Sequence, residues 1–146
     1  MLDKLLKISK VPKDEVNIDL TFKKFKKRFI QEYASEVSKY MLRKHVLNRG
    51  NYIWHLFSFE LIDSNLYLSG EKAKEAYNQR DKSNAIVFLE IPTNTFIKFT
   101  DEYSNSNNID GCGEIYVFAE DMSWIYINTH EESIGIGPYF IKNNKK

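Results

Sequence analysis

The period of the hydrophobic pattern changes once along the chain, and this change constrains the fold more than any other feature. Between Leu20 and Leu47 the apolar residues recur at the spacing of one face of an amphipathic helix. These residues are Phe22, Phe25, Phe29, Tyr33, Val37, Tyr40 and Met41. Beyond Gly50 the apolar residues fall in short runs, which are typical of strands. The sequence therefore predicts helices first and a sheet afterwards.

Most of the strand signals lie in the second half of the chain. The first run is continuously apolar, which is typical of a central strand, and the third and fourth runs flank turn residues that predict a hairpin. The last run is expected to be an edge strand. The expected strands are 85–91, 95–100, 114–120, 124–129 and 138–141.

Segment 52–62 is dense in aromatic and β-branched residues, which favours a strand and leaves a short buried helix as the alternative. In a strand, Trp54 and Glu60 would share one face and His55 would lie on the other. A short helix is expected to begin after Ser69, a good N-cap residue. The predicted fold is α+β, with N-terminal helices packed on a mostly antiparallel sheet of about five to six strands and one inserted short helix.

We expect one domain, residues 1–146, because 146 residues is an ordinary domain length and neither a linker nor a repeat interrupts the chain. Pro12 ends the first apolar stretch, so residues 1–19 are expected to form a loosely attached N-terminal segment. Turn-forming residues predict three interruptions: a helix break at Ser35 and Ser38, a helix stop at 48–51 and a mobile surface loop at 101–108.

The charge balance excludes a strongly polyanionic or polycationic protein, because 21 basic residues face 20 acidic ones. Residues 1–50 carry a basic excess and the remainder an acidic one, which is more typical of a basic helix against an acidic body than of a nucleic-acid arm. The longest apolar run, 85–89, is far too short to cross a membrane. A single cysteine, Cys112, cannot form an internal disulfide, which favours a reducing compartment. We therefore expect a cytoplasmic protein that does not enter membranes.

Complete catalytic signatures are missing from the sequence. Neither phosphate-binding glycine motifs nor a nucleophile elbow nor a cysteine pair occurs. His130 and Glu131 begin like the helix of zinc proteases, but Ile134 stands where the second histidine is needed. Cys112 lies between two glycines, so a turn residue is favoured over a nucleophile. We expect no cofactor and no resident metal.

Four polar residues are the best candidates for chemistry: His55, Glu60, His130 and Glu131. Imidazoles near carboxylates can act as general acids and bases or can hold a divalent metal. A hydrogen-bonded structural histidine is the more common role for each imidazole, and a solvent-facing carboxylate is favoured for Glu60. Aromatic residues are the best candidates for binding, because their large faces suit contacts. Trp54 and Trp124 are expected in the core, where either could line a shallow pocket. With Tyr139 they are the binding candidates.

Several short motifs extend over residues 54–140, about three fifths of the chain. They are WHxFSxE from Trp54, LxGxxAxxAY from Leu68, IYV from Ile115, DxxWxY from Asp121, THE from Thr129 and GPYF from Gly137. With these motifs the sequence resembles a family of short bacterial proteins of unknown function found in bacilli and their relatives. The resemblance implies a small intracellular domain and brings no established activity. It raises His55, Glu60, His130 and Glu131 above the remaining surface residues.

The leading functional prediction is a non-enzymatic interaction or ligand-binding module, of immunity or regulatory type, whose partner is a protein or a small ligand. One alternative is a small enzyme, with or without metal assistance, that uses His55, Glu60, His130 and Glu131. A second alternative is nucleic-acid binding through the basic helix at 20–47, which the neutral overall charge disfavours. If the two imidazole rings lie within about 5 Å of each other and face a solvent-reachable pocket with a carboxylate, the enzyme is favoured. If they lie far apart, or are each tied to backbone inside the core, the interaction module is favoured.

Overall fold

A computed structural model describes residues 22–47, 51–90 and 95–143 of the protein. The predictions for residues 1–19 and for the helix stop at 48–50 lie outside the described residues. The α-helices of the described part are α1 (Phe22–Tyr33), α2 (Lys39–His45), α3 (His55–Ser58), α4 (Glu71–Asn78) and α5 (Ser106–Ile109).

The strands form a six-stranded sheet with the order β1-β6-β5-β4-β2-β3, in which every neighbouring pair is antiparallel. The predicted α+β fold is confirmed. The strands are β1 (Tyr67–Ser69), β2 (Ala85–Leu89), β3 (Thr95–Lys98), β4 (Ile115–Ala119), β5 (Trp124–Asn128) and β6 (Tyr139–Lys142). Single 3-10 turns lie at Ser64–Leu66, Asp101–Tyr103 and Glu132–Ile134.

Helices cover both faces of the sheet, which explains why β4 and β5 are buried along their whole length. On one face Phe25 and Phe29 of α1 lie in a core with Phe88 and Phe118 of the sheet. On the other face Tyr77 of α4 stacks on Tyr126, with their ring centroids 4.2 Å apart. The sheet is therefore the middle layer of three, and only its two ends and its edges are available for a site.

The hairpin predicted at the end of the chain is confirmed, since β4 pairs with β5 across residues 120–123. The central position predicted for 85–91 is also confirmed, because β2 pairs with both β3 and β4. The prediction of an edge strand at 138–141 is wrong. β6 pairs with β5 on one side and with the three-residue strand β1 on the other. A strand as short as β1 leaves little periodicity in a sequence.

Segment 52–62 is not a strand but a turn followed by α3, which was the alternative. The buried residues Ile53, Trp54, Leu56 and Phe57 follow helical spacing rather than alternation. Side chains take the place of a neighbouring strand, because the N–H groups of Ile53 and Trp54 donate to side-chain oxygens.

The polar segment 101–108 lies at the surface, as predicted, but it is not an irregular loop. It forms a 3-10 turn and the start of α5, and it buries the aromatic ring of Tyr103. Two contacts with α4 fix it: the hydroxyl of Tyr77 donates to the carbonyl of Tyr103, and the Ser106 N–H donates to Asn78 Oδ1 at 2.8 Å. Asparagine and serine satisfy helix ends here, which is why the composition resembles that of a loop.

The helix break predicted at Ser35 and Ser38 is confirmed, and Ser38 Oγ accepts the N–H of Met41 as the N-cap of α2. The apolar stripe loses its register at this break, so Tyr40 is 66% exposed rather than buried. The N-cap of α4 is Gly70 at φ 63°, not Ser69. A residue without Cβ suits that backbone conformation. No helix within the described residues is both long and apolar enough to span a membrane.

Candidate functional site

Two histidines that are far apart in sequence meet at one end of the sheet. His55 begins α3 and His130 follows β5. Both imidazoles contact the ring of Tyr52, with centroid distances of 5.4 and 5.5 Å. Both also contact the ring of Trp54, at 4.5 and 5.9 Å. Together with Phe59, whose ring lies 5.0 Å from that of His55, these residues form what we call the histidine–aromatic site.

The buried carboxylate of Glu114 orients His130. Glu114 directly precedes β4 and is only 6% exposed. Its Oε1 atom accepts the backbone N–H of His130 at 3.0 Å and also contacts Nδ1 of the same residue. A carboxylate oxygen accepts hydrogen bonds, so this contact favours the tautomer of His130 that carries its hydrogen on Nδ1 and keeps a lone pair on Nε2. Nε2 lies 3.6 Å from Glu131, and the side chain of His130 is 45% exposed.

His55 is held by backbone groups. Its Nδ1 atom accepts the N–H of Tyr52 at 3.2 Å and lies 3.3 Å from the carbonyl oxygen of His45. The first contact requires a lone pair on Nδ1 and the second requires a hydrogen there, so the two contacts favour different protonation states of the ring. Burial lowers the pKa of His55, while the carbonyl of His45 acts in the opposite direction.

A second carboxylate, Glu90, ties the aromatic segment to the sheet. Glu90 follows β2, is 5% exposed, and accepts the hydroxyl of Tyr116 at 2.5 Å and the N–H of Ile53 at 3.0 Å. The Tyr116 oxygen in turn accepts the N–H of Trp54 at 3.0 Å. Burial raises the pKa of Glu90 to about 7, although these hydrogen bonds and the charge of Lys26 oppose the shift. The turn that bears the site is therefore fixed by side chains at the end of the sheet.

Tyr52 covers the indole of Trp54, with the two rings stacked 5.2 Å apart and inclined by only 9°. Trp54 itself is 1% exposed, and its Nε1 hydrogen has no partner within the described residues. Burial and the charges of Glu114, Glu90 and Glu131 raise the pKa of the Tyr52 hydroxyl. The surroundings of the exposed aromatic edges are therefore electronegative.

The structure brings together some of the residues predicted from sequence and separates others. His55, His130, Glu131 and Trp54 lie at the histidine–aromatic site. Glu60 does not: it is exposed, at φ 56° in the turn that ends α3.

The three aromatic residues predicted for binding do not form one surface. Trp54 and Tyr139 pack in the core on one face of the sheet, whereas Trp124 packs on the other. All three are buried. Cys112 is also buried, with Sγ 3.7 Å from the carbonyl oxygen of Asn108, as suits a turn residue. Within the described residues, no three His, Cys, Asp or Glu side chains group so that they could hold a metal ion.

Sequence reasoning missed Tyr52, Glu90, Glu114 and Tyr116. A signal for the two carboxylates exists, because each directly adjoins an apolar strand that is covered on both faces. A charged residue at such a position must lie at the end of the sheet, next to other strand ends. Tyr116 gives no comparable signal, since its hydroxyl acts from inside an apolar strand.

Fold and site together define a small α+β domain with a histidine–aromatic site at one end of an antiparallel sheet. Over residues 1–140 the chain matches the family described as a domain of unknown function, DUF4275, and it belongs to that family. The predicted membership of a family of unknown function is thereby confirmed. Among curated proteins and among solved structures, none matches the chain.

Proposed function

We propose that this protein is a non-enzymatic recognition module and that the histidine–aromatic site is its contact surface. The observation that carries the proposal is the convergence of His55 and His130 on the rings of Tyr52 and Trp54. Both imidazoles keep exposed edges while hydrogen bonds from Glu114 and the backbone fix their orientation. Rigid aromatic edges at a partly exposed surface are typical of contact surfaces, since little side-chain entropy is lost when they bind.

The charge around the site favours a basic partner. Glu114 and Glu131 both lie near the Tyr52 hydroxyl, and burial shifts His55 towards its neutral form. An ammonium or guanidinium group is attracted both to such carboxylates and to the faces of aromatic rings. We therefore infer a protein segment that presents lysine or arginine. A regulatory or immunity-type role in the cytoplasm of a bacterium would suit a module of this kind, and the single cysteine supports a reducing location.

The proposal can be tested by selecting a random-peptide display library against the full chain. Peptides rich in lysine or arginine are expected, and their binding should be lost in Tyr52→Ala and in His130→Ala. The matched control is Tyr40→Ala, because Tyr40 is an exposed tyrosine of α2 that contacts Lys44 rather than the histidines. Selected peptides that bind Tyr52→Ala and His130→Ala as tightly as the wild type would contradict the proposal.

One observation favours a second candidate, acid–base catalysis by His130. A carboxylate that fixes Nδ1 and leaves a lone pair on Nε2 is the arrangement that general bases use. Hydrolysis of nitrophenyl ester substrates provides the test. Turnover that disappears in His130→Asn, and that follows the titration of a single group, would favour catalysis and would overturn the non-enzymatic proposal.

A further inference from the structure

A cleft of about 680 Å³ lies at the other end of the sheet, away from the histidines. It opens where β2 begins, where β4 ends and where β5 begins. Its volume is within the range of small-molecule sites, roughly 300–1,000 Å³. The side chains that matter below are those of Arg28, Arg80, Asp81, Ser83, Asp121 and Ser123.

Two arginines from different elements meet in this cleft. Arg28 belongs to α1 on one face of the sheet, and Arg80 follows α4 on the other face. Both are half-buried. Because both side chains line the same cleft, the two guanidinium groups belong to one site.

Neither guanidinium forms an ion pair with a carboxylate of residues 22–47, 51–90 or 95–143. Arg80 is positioned instead by aromatic rings, with its guanidinium carbon 5.9 Å from the ring centroid of Trp124 and 6.0 Å from that of Phe140. Stacking on aromatic faces holds the planar group in place without using its hydrogen-bond donors. The N–H donors of a guanidinium group form a planar fork, which matches the oxygens of a phosphate or carboxylate.

The cleft also contains acceptors. Asp81 and Asp121 begin two similar turns, in which Oδ1 accepts the backbone N–H of Ser83 at 3.0 Å and of Ser123 at 2.9 Å. With Glu120, three carboxylates stand beside the two arginines. A bare anion would be repelled by these carboxylates. A ligand that combines a negative group with hydroxyl donors would satisfy both sets of residues.

We propose that this cleft binds a phosphorylated polyhydroxy compound of sugar-phosphate size, with the phosphate between Arg28 and Arg80 and the hydroxyl groups donating to Asp81 and Asp121. This assignment is independent of the contact surface at the histidines, because the two sites lie at opposite ends of the sheet.

The test is calorimetric titration of the full chain with ribose phosphate, inorganic phosphate and ribose, each alone. Ribose phosphate should bind roughly tenfold more tightly than inorganic phosphate, since additional hydrogen bonds to charged groups act in the complex. Ribose alone should bind more weakly still. Equal binding of ribose phosphate and inorganic phosphate would overturn the assignment. A result in which none of the three compounds binds would overturn it as well.

Variants localise the site. Arg28→Gln and Arg80→Gln should each weaken ribose phosphate binding roughly tenfold or more, because a charge-assisted pair is lost. Arg43→Gln is the matched control, since Arg43 is an exposed arginine of α2 whose Nε donates to the carbonyl of Lys39. His130→Ala should bind ribose phosphate like the wild type, which separates this assignment from the proposed contact surface. Undiminished binding in the Arg28→Gln, Arg80→Gln double variant would overturn the assignment.

Discussion

The two ends of the sheet accommodate buried and half-buried charged groups in opposite ways. At the histidine end, Glu90 and Glu114 are held by a phenol, backbone N–H groups and an imidazole. Within the described residues, neither of them forms an ion pair with lysine or arginine. At the opposite end, Arg28 and Arg80 share a cleft with carboxylates that are engaged by their own turns.

This difference has a consequence for what each end responds to. Burial raises the pKa of Glu90 to about 7, so the histidine end is coupled to pH through this carboxyl group. Arginine keeps its charge at any accessible pH, so we expect the cleft to respond to anions and to salt instead. On this proposal, a pH-sensitive end and an ion-sensitive end lie on opposite sides of one sheet.

The largest expected effect is the pH dependence that Glu90 imposes on stability. Its pKa in the folded protein is about 7, against 4.5 for an unperturbed carboxyl group. The folded protein therefore keeps a proton that the unfolded chain has lost. This contribution is fully present below the unfolded pKa and disappears as the pH rises through about 7. It amounts to something on the order of 3 kcal/mol.

Urea unfolding across this pH window measures the effect. Glu90→Gln cannot ionise, so its free energy of unfolding should rise relative to the wild type as the pH increases. Glu60→Gln serves as the control, because Glu60 is an exposed carboxylate of the same region. If wild type and Glu90→Gln show parallel pH profiles, the histidine end is not coupled to pH through Glu90.

Tyr116→Phe, which removes the hydroxyl, should lower the free energy of unfolding by about 2–3 kcal/mol. In this variant the Trp54 N–H loses its acceptor and Glu90 loses a donor, both inside the core. Tyr126→Phe is a matched control: Tyr126 is as deeply buried, on the next strand, and its hydroxyl has no partner among the described residues. Its removal should leave the free energy of unfolding within about 0.5 kcal/mol of the wild type, or raise it. Equal losses in the two variants would show that the Tyr116 network contributes no specific stability.

The order of helices and strands could be predicted because periodicity is a local property. Segment 85–89 is apolar throughout because both faces of β2 are covered. The hairpin across 120–123 is predicted by the turn residues that it contains. The composition of segment 52–62 does not distinguish a strand from a short helix. The acceptors that replace a neighbouring strand there are Glu90 and Tyr116, which lie far along the chain.

The site could be predicted in part for the same reason. His55, His130 and Glu131 stand out by residue type, whereas the importance of Glu114 depends on strand register. The pairing of Leu89 with Ile115 is what brings Glu90 and Glu114 side by side, with the N–H of Glu90 donating to the carbonyl of Glu114 at 3.1 Å. No local pattern specifies that register.

An ion pair near the histidine end should contribute less to the free energy of unfolding than the Tyr116 hydroxyl does. Lys74 of α4 reaches Glu132 at 2.7 Å and Asp110 at 3.4 Å, and its hydrogen bond with Glu132 raises the pKa of the lysine. Lys74→Met should lower the free energy of unfolding, measured in urea, by about 1 kcal/mol, and this loss should be smaller at high salt. Lys72→Met, at an exposed position of the same helix, should change little. A salt-independent loss would point to packing rather than charge.

The smallest expected effect concerns the arginines of the cleft. Arg28 and Arg80 form no ion pair with a carboxylate of the residues that the structure describes. Their removal therefore eliminates few stabilising interactions besides the contact of Arg80 with the ring of Trp124. The Arg28→Gln, Arg80→Gln double variant should therefore unfold within about 0.5 kcal/mol of the wild type. A loss several times larger would mean that the arginines hold the cleft together. A small loss would mean that the fold keeps two half-buried charges for a purpose other than stability, in contrast to the hydrogen-bonded carboxylates at the histidine end.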